Sequence, residues 1–280
     1  MQYLDRRVEL IEERAVSVLD AVEPSPLAEQ VRHVVLSGGK RVRPMVALLS
    51  CEAAGGSAQE ALDFAVGIEL VHSASLVVDD VIDDSDTRRG TDSAWAAFGY
   101  GPAIIASDGL LGEAFSLFLA DERATEVVAQ AMVDLGEGEA IELAAVPETG
   151  EEYLRLARRK TGALFRAAAQ LGAVAADADD ETIDAFGEYA ERVGIAFQIR
   201  DDVLDATADA DALGKPTGRD AAMDRPSLVR VTDISPEEAN EQAHAHADDA
   251  LDALSSVETT NDRAEEYLRD LAEFVVVREQ

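Results

Sequence analysis

Apolar residues recur at three- and four-residue spacing along most of the chain. In the first twenty residues Leu4, Val8, Ile11 and Val16 are interleaved with Arg6, Arg7, Glu9, Glu12 and Arg14, the pattern of an amphipathic helix rather than of a secretory leader. Longer Ala/Leu/Val/Glu-rich stretches at 59–80, 103–120, 124–145, 151–175, 180–205 and 236–256 repeat that periodicity. Their starts are marked. Ser25-Pro26 reads as a capping serine before a first-turn proline, and Thr149 with Glu152 and Ser235 with Glu238 read as capping boxes. Segments such as Gly101-Pro102-Ala103-Ile104-Ile105-Ala106 are apolar nearly all round, which predicts helices enclosed by other helices. Period-two alternation with Asn-Gly or Asp-Gly turns is nearly absent. No Ser/Gly/Pro linker and no fixed-period repeat divides the chain. The expectation is an all-α fold, one domain over residues 1–280, with about ten or more helices.

Charge changes the picture. The 280 residues hold 57 Asp+Glu against 24 Lys+Arg, a formal net charge of −33. Such a chain lacks the basic face that displaces counterions from nucleic acid, and the polybasic segments that dock on anionic membranes. With 47% hydrophobic residues it is too apolar to be disordered, so the acid coats a folded core. Only three basic residues are lysines: Lys40, Lys160 and Lys215. Self-repulsion at this charge is relieved by salt, so the composition reads as that of a halophile's cytoplasmic protein. Cys51, the single cysteine, lies among small apolar residues and reads as core. No run reaches the roughly 18 apolar residues of a membrane span.

Two irregular stretches, 84–91 and 206–226, each follow a cluster of aspartates. Asp79-Asp80-Val81-Ile82-Asp83 ends one strongly apolar helix, and Asp201-Asp202-Val203-Leu204-Asp205 ends another. In each DDxxD the first and last carboxylates share a helical face, about 6 Å apart, and can hold hard cations that keep positions for water and phosphate. A single such motif in a chain this acidic is a plain solvated helix end. Two copies, both at the end where the helix dipole disfavours acid, point to cations arriving from outside. Neither cluster has the glycine and closing glutamate of a calcium-binding loop.

The basic residues complete the pattern. Gly38-Gly39-Lys40-Arg41-Val42-Arg43-Pro44 is a compact basic patch, Arg88-Arg89-Gly90 follows the first aspartates, and Lys160-Thr161-Gly162 and Gly214-Lys215-Pro216-Thr217-Gly218 carry the other lysines. Lysine suits phosphate as a point charge and arginine as a fork. Carboxylate–metal clusters with several separate cations describe a site for more than one diphosphate. His244 and His246 do not share a helical face and make no metal pair, and Trp95, Phe98 and Tyr100 read as packing.

At these residues the chain resembles the trans-isoprenyl diphosphate synthases, or polyprenyl synthetases. The likeness runs in order over roughly residues 30–280: GGKRVRP, the His72 helix leading to DDVID, then RRG, KTGALF, FQIRDDVLD, GKPTGRD and the C-terminal Arg278. It implies the isoprenoid synthase fold, a helical bundle around a central cavity, and a cytoplasmic homodimer. It implies that Lys40, Arg43, His72 and Arg89 hold isopentenyl diphosphate. Arg88, Lys160, Thr161, Gln198, Lys215 and Arg225 would hold the allylic diphosphate. Asp79, Asp80, Asp83, Asp201, Asp202 and Asp205 would carry two to three Mg2+ ions, with Asp79, Asp83, Lys160, Asp201 and Lys215 at the chemistry.

The chain departs from the family pattern at four places. Val78 stands where histidine is usual, Gly138-Glu139-Ala140-Ile141-Glu142 where GQxxD is usual, Ser107-Asp108 where Gly-Asp is usual, and Arg225 where lysine is usual. Chain length in the family follows bulk one turn before the first aspartates. Ala74 and Ser75 are small, which implies a C20 product, or C25, over C15, in the manner of a geranylgeranyl diphosphate synthase. A terpene cyclase has no second diphosphate to bind, so GGKRVRP and Arg89 speak against it. A catalytically silent subunit tuning a partner synthase would have lost a DDxxD, and both are intact.

Overall fold

The computed structural model describes residues 2–144, 147–207, 227–232 and 234–277. Helices α1 (Gln2–Leu19), α2 (Ser25–Leu36), α3 (Val42–Ala53) and α4 (Ala58–Ile82) lead to a two-stranded hairpin, β1 (Thr87–Arg88) and β2 (Thr91–Asp92). After it come α5 (Ala94–Phe98), α6 (Tyr100–Phe118), α7 (Glu122–Ala144) and α8 (Gly150–Ala157). A π-helical turn (Arg158–Gly162) joins α8 to α9 (Ala163–Ala175). Then follow α10 (Asp180–Thr207), α11 (Leu228–Thr232), α12 (Pro236–Ser255) and α13 (Asp262–Val277). The all-α expectation holds, and the periodic stretches match helices to within a few residues.

Helix α4 is the axis of the bundle. Almost every residue from Ala61 to Val71 is buried, because α1, α3, α6 and α9 pack around it. Small residues on α6, Ala103, Ala106 and Ala114, bring the two backbones close, and Ser107 Oγ donates to Ala74 O at 3.2 Å. Helix α10 packs between α9 and α12, while α3 is covered by α9 and α13. By length and composition α4 does carry an 18-residue window that could cross a membrane, contrary to the sequence expectation; 72% of that window is buried inside the protein. Its apolarity is that of a helix enclosed by other helices.

Three local readings are refined. Ser25 already lies inside α2; the Pro24 carbonyl accepts from Leu27 and Ala28 and takes the capping place. Ser235 and Glu238 form the full reciprocal box, whereas Glu152 reaches past Thr149 to the Glu148 N–H at 2.9 Å. The hairpin is the third. Arg89 and Gly90 both have positive φ (52° and 81°), the two-residue turn whose twist suits antiparallel strands.

Candidate active site

The first aspartate cluster closes α4. Asp83 caps the helix, its N–H donating to Asp79 O at 2.9 Å, and Asp79 and Asp83 are half-buried at its end. Asp80 turns inward and is 3% exposed. Its Oδ1 accepts from Arg88 Nε at 2.9 Å and also from Nη2. The carbonyl of Asp80 accepts from Trp95 Nε1 and Ser85 N–H, both at 3.0 Å. One aspartate thus ties the hairpin and α5 to the helix end. Trp95 and Tyr100 stack at 4.9 Å, and Tyr100 donates to Asp84 at 2.6 Å, in keeping with a packing role.

The Gly-Gly loop brings the basic residues to the same end of α4. Gly39 adopts φ +136°, and a Cβ there would lie 2.8 Å from the Arg89 guanidinium carbon, so only glycine lets Arg89 reach across to donate to Gly38 O. Arg41 starts α3 in the left-handed region at φ 50°. It is held there by a buried pair with Glu69 on α4 (2.6 Å) and by Val35 O (2.7 Å). That anchor fixes the loop and leaves Lys40 exposed on one side and Arg43 turned inward on the other.

Arg43 donates to His72 Nε2 at 3.1 Å and lies over the Phe165 ring at 4.5 Å. A guanidinium can only donate, so His72 Nε2 is the acceptor and the ring is neutral. Burial, with Arg43, Arg89, Arg88 and Arg41 nearby, holds the His72 pKa well below its usual range. Burial likewise pulls Arg43 down to about 10, against the opposing pull of Glu69, and its Nε is buried without a hydrogen-bond partner. Four arginines around a neutral histidine leave positive charge in search of an anion.

The third part of the site lies on α7, the π turn and α10. A Cβ on Gly138 would come 2.9 Å from Lys160 N, so that glycine allows the turn to nestle against α7. The close approach sets the Lys160 ammonium between Glu139 (3.4 Å) and Glu142 of α7. Burial lowers the Lys160 pKa, but Glu142, Glu139 and Asp79 outweigh it and raise the pKa above normal. Thr161 Oγ1 donates to Gln198 Oε1 at 2.8 Å, and Gln198 Nε2 donates to Asp202 Oδ1 at 3.0 Å. Asp202 is 2% exposed, and its Oδ2 accepts from Tyr153 OH at 2.5 Å and Leu228 N–H at 3.1 Å. On the same turns of α10, Asp201 is exposed and Asp205 half-buried.

Arg43, Arg88 and Arg89 therefore gather around His72, and Lys160, Thr161, Gln198 and Asp202 form a connected set. Asp80 and Asp202, grouped with the outer aspartates in sequence, are buried anchors here. Ala74 is buried and Ser75 half-buried, its Oγ bonded to His72 O at 2.8 Å. Lys215 and Arg225 lie outside the described residues. Arg41 with Glu69, Tyr153, and the pairing of Glu139 and Glu142 with Lys160 were not singled out. A long-range partner leaves no local periodic signal, although Glu69 is one of two acids, with Asp63, inside the apolar run 61–71.

Known proteins place this arrangement. The polyprenyl synthetase family profile matches residues 24–265, and the chain belongs to that family of prenyltransferases. A short chain isoprenyl diphosphate synthase of Methanothermobacter thermautotrophicus is 35% identical over 82% of this chain and 74% of its own. An octaprenyl diphosphate synthase of Escherichia coli is 36% identical over 84% and 78%. The crystal structure of a geranylgeranyl pyrophosphate synthetase from Pyrococcus horikoshii superposes over the whole of both chains, with a TM-score of 0.91 and 34% identity. Relatives of similar identity thus make products of different length.

The residues present fit a divalent metal. Glu139 Oε1 is buried without a hydrogen-bond partner, and burial plus repulsion from Asp79 holds its carboxyl well above the usual carboxylate range. That surplus of carboxylate suits a hard cation. Among the described residues no three such side chains converge to hold an ion alone, so further oxygens would have to come from a bound diphosphate.

Proposed function

We propose that the protein condenses isopentenyl diphosphate with an allylic diphosphate, head to tail and with Mg2+, to give a C20 prenyl diphosphate and free diphosphate. The observation that carries this reading is the gathering of Arg43, Arg88 and Arg89 around a neutral His72, at the helix whose end bears Asp79. Arg43 and Arg89 suit one diphosphate, and Arg88 with the carboxylates of Asp79, Asp83, Asp201 and Asp205 suits a second that arrives with metal. Bound there, Mg2+ would neutralise the diphosphate leaving group.

Lys160 and Arg88 would take the diphosphate oxygens as the allylic C–O bond breaks, releasing Glu142 and Asp80 in part. Arg43, Arg89 and Lys40 would hold isopentenyl diphosphate with its double bond against the allylic carbocation. The new C–C bond forms there, and the proton lost from the adjacent carbon leaves on the departing diphosphate. The apolar faces of α4 and α6 would keep water from the cation.

Product length is read from α4. Phe64, Gly67, Val71 and Ala74 form one stripe, and Phe118 of α6 closes it: a Cβ on Gly67 would lie 2.5 Å from the Phe118 ring. Gly67 lies twelve residues before Asp79, about 18 Å by helical rise, a depth suited to C20 or C25 rather than to the octaprenyl class. The homodimer implied by the resemblance belongs to this reading. It is supported by adjacent Ile104 and Ile105 on α6, 52% and 56% exposed.

The test is a product assay at high salt with labelled isopentenyl diphosphate, Mg2+ and each allylic starter. Geranylgeranyl diphosphate is expected, with longer products from Phe118→Ala. Farnesyl diphosphate alone would overturn the length, and no product with any starter would overturn the activity.

A further inference from the structure

Two tyrosine hydroxyls are buried in hydrogen bonds, and they differ in what they hold. Tyr189 OH donates to the Leu268 carbonyl at 2.6 Å, which ties α10 to α13. Tyr153 OH donates at 2.5 Å to the Asp202 carboxylate, on the helix end that carries Asp201 and Asp205. We propose that Tyr153 is a positioning residue for the allylic-diphosphate half of the site, acting through Asp202 on Gln198 and Thr161; this rests on the function proposed above.

The bonds run in one direction. Asp202 accepts on both oxygens, Oδ2 from Tyr153 OH and Leu228 N–H, Oδ1 from Gln198 Nε2. Gln198 aims its amide nitrogen at Asp202 and its oxygen at the Thr161 hydroxyl. Thr161 must then spend its hydroxyl proton on Gln198 at 2.8 Å, which fixes how it presents its lone pairs beside Lys160. The Tyr153 hydroxyl stands at the root of this chain, and its ring, 2% exposed, packs in the core. Removing the hydroxyl alone takes from Asp202 Oδ2 its shorter hydrogen bond, leaving the Leu228 N–H at 3.1 Å, and so loosens the orientation of the carboxylate and of Gln198 and Thr161 with it. It also weakens the anchor at Leu228, where α11 begins. Arg43, His72 and Arg89 have no part in this chain.

The test compares Tyr153→Phe with Tyr189→Phe, each the loss of one buried hydroxyl. Calorimetric titration with inorganic diphosphate and Mg2+ reads the allylic half without turnover; steady-state kinetics reads both substrates. For Tyr153→Phe, diphosphate binding is expected to weaken about three- to ten-fold and the allylic KM to rise in step, the scale of one buried hydrogen bond. The KM for isopentenyl diphosphate stays put. Tyr189→Phe is expected to lower the thermal midpoint and leave both KM values alone. Unchanged diphosphate binding in Tyr153→Phe, or an equal rise in both KM values, would overturn the positioning role. If Tyr153→Phe does not fold, Asp202→Asn keeps the shape but has one acceptor oxygen for donors that now use two, and is expected to show the same split. A wild-type protein that binds no diphosphate with Mg2+ would sink the proposed function, and this inference with it.

Discussion

Asp80 and Asp202 hold the same place in their two DDxxD motifs, and both turn into the protein. Their partners differ. Asp80 holds the guanidinium of Arg88, which is itself about one-third exposed, and through its carbonyl holds Trp95. Asp202 accepts from Tyr153, Gln198 and the Leu228 N–H, three neutral donors, two of them from fully buried residues, among its partners. Successive helical residues point about 100° apart, and here the second aspartate of each motif is the one turned into the core. The outer members, Asp79 with Asp83 and Asp201 with Asp205, are the ones that the proposed function assigns to metal and diphosphate. The inner members serve as anchors, one for a basic hairpin and the other for hydrogen bonds from Tyr153, Gln198 and Leu228.

The largest effect follows from the outer pair. Asp79→Ala or Asp201→Ala is expected to cut turnover about 1,000-fold, the scale of losing one preorganised electrostatic contact, while thermal unfolding barely moves. Turnover within ten-fold of wild type would break the division between outer ligands and inner anchors.

The inner pair sharpens the contrast through stability. Asp80→Ala leaves Arg88, whose side chain can turn to water, so urea unfolding is expected to show a loss of about 1 kcal/mol. Asp202→Ala strands a buried Tyr153 hydroxyl and the buried Leu228 N–H, and is expected to lose about 3 kcal/mol. Equal losses would mean that the two anchors are energetically alike.

How far this was legible follows from range. The helices, the Ser235 box and the end of α4 are written in neighbouring residues, and the structure returns them nearly unchanged. The hairpin escaped because the expected turn signals were Asn-Gly and Asp-Gly, while this chain turns on Arg89-Gly90; an arginine before glycine in a short polar stretch was the available hint. The π turn carries no local mark, since it depends on Gly138 making room across from Lys160. The six aspartates looked equivalent because spacing along a helix says which residues share a face, not which face meets the core. Tyr153 and Arg88 settle that, and both are brought in by tertiary packing.

His72 separates the basic half of the site from both aspartate clusters by its pH behaviour. Its folded pKa is depressed, so between that value and the unfolded value near 6.5 the unfolded chain binds a proton that the fold refuses. Stability therefore falls as pH drops below 6.5, with His72 contributing at most about 1.4 kcal/mol per pH unit. His72→Gln is expected to flatten that slope in urea titrations between pH 6.5 and 5. His246, also depressed by burial, keeps part of the slope in the variant. An unchanged slope would mean that His72 titrates normally.

Salt gives the smallest and most selective difference. With a net charge of −33, the whole protein is expected to gain thermal stability as KCl rises, because screening shortens to about 3 Å at 1 M. Within that general gain, the two anchors are expected to part. The Asp80–Arg88 pair is a charge–charge contact with one member in reach of solvent, so its coupling energy in a double-mutant cycle is expected to fall from about 1 kcal/mol at low salt to about half that at 2 M KCl. The Asp202–Tyr153 contact joins a buried carboxyl group to a neutral hydroxyl, out of reach of counterions. Its coupling, from Asp202→Asn and Tyr153→Phe, is expected to stay constant over the same range. If both couplings decay together, water reaches Asp202 as freely as Arg88, and the buried anchor on α10 is no more sheltered than the one on α4.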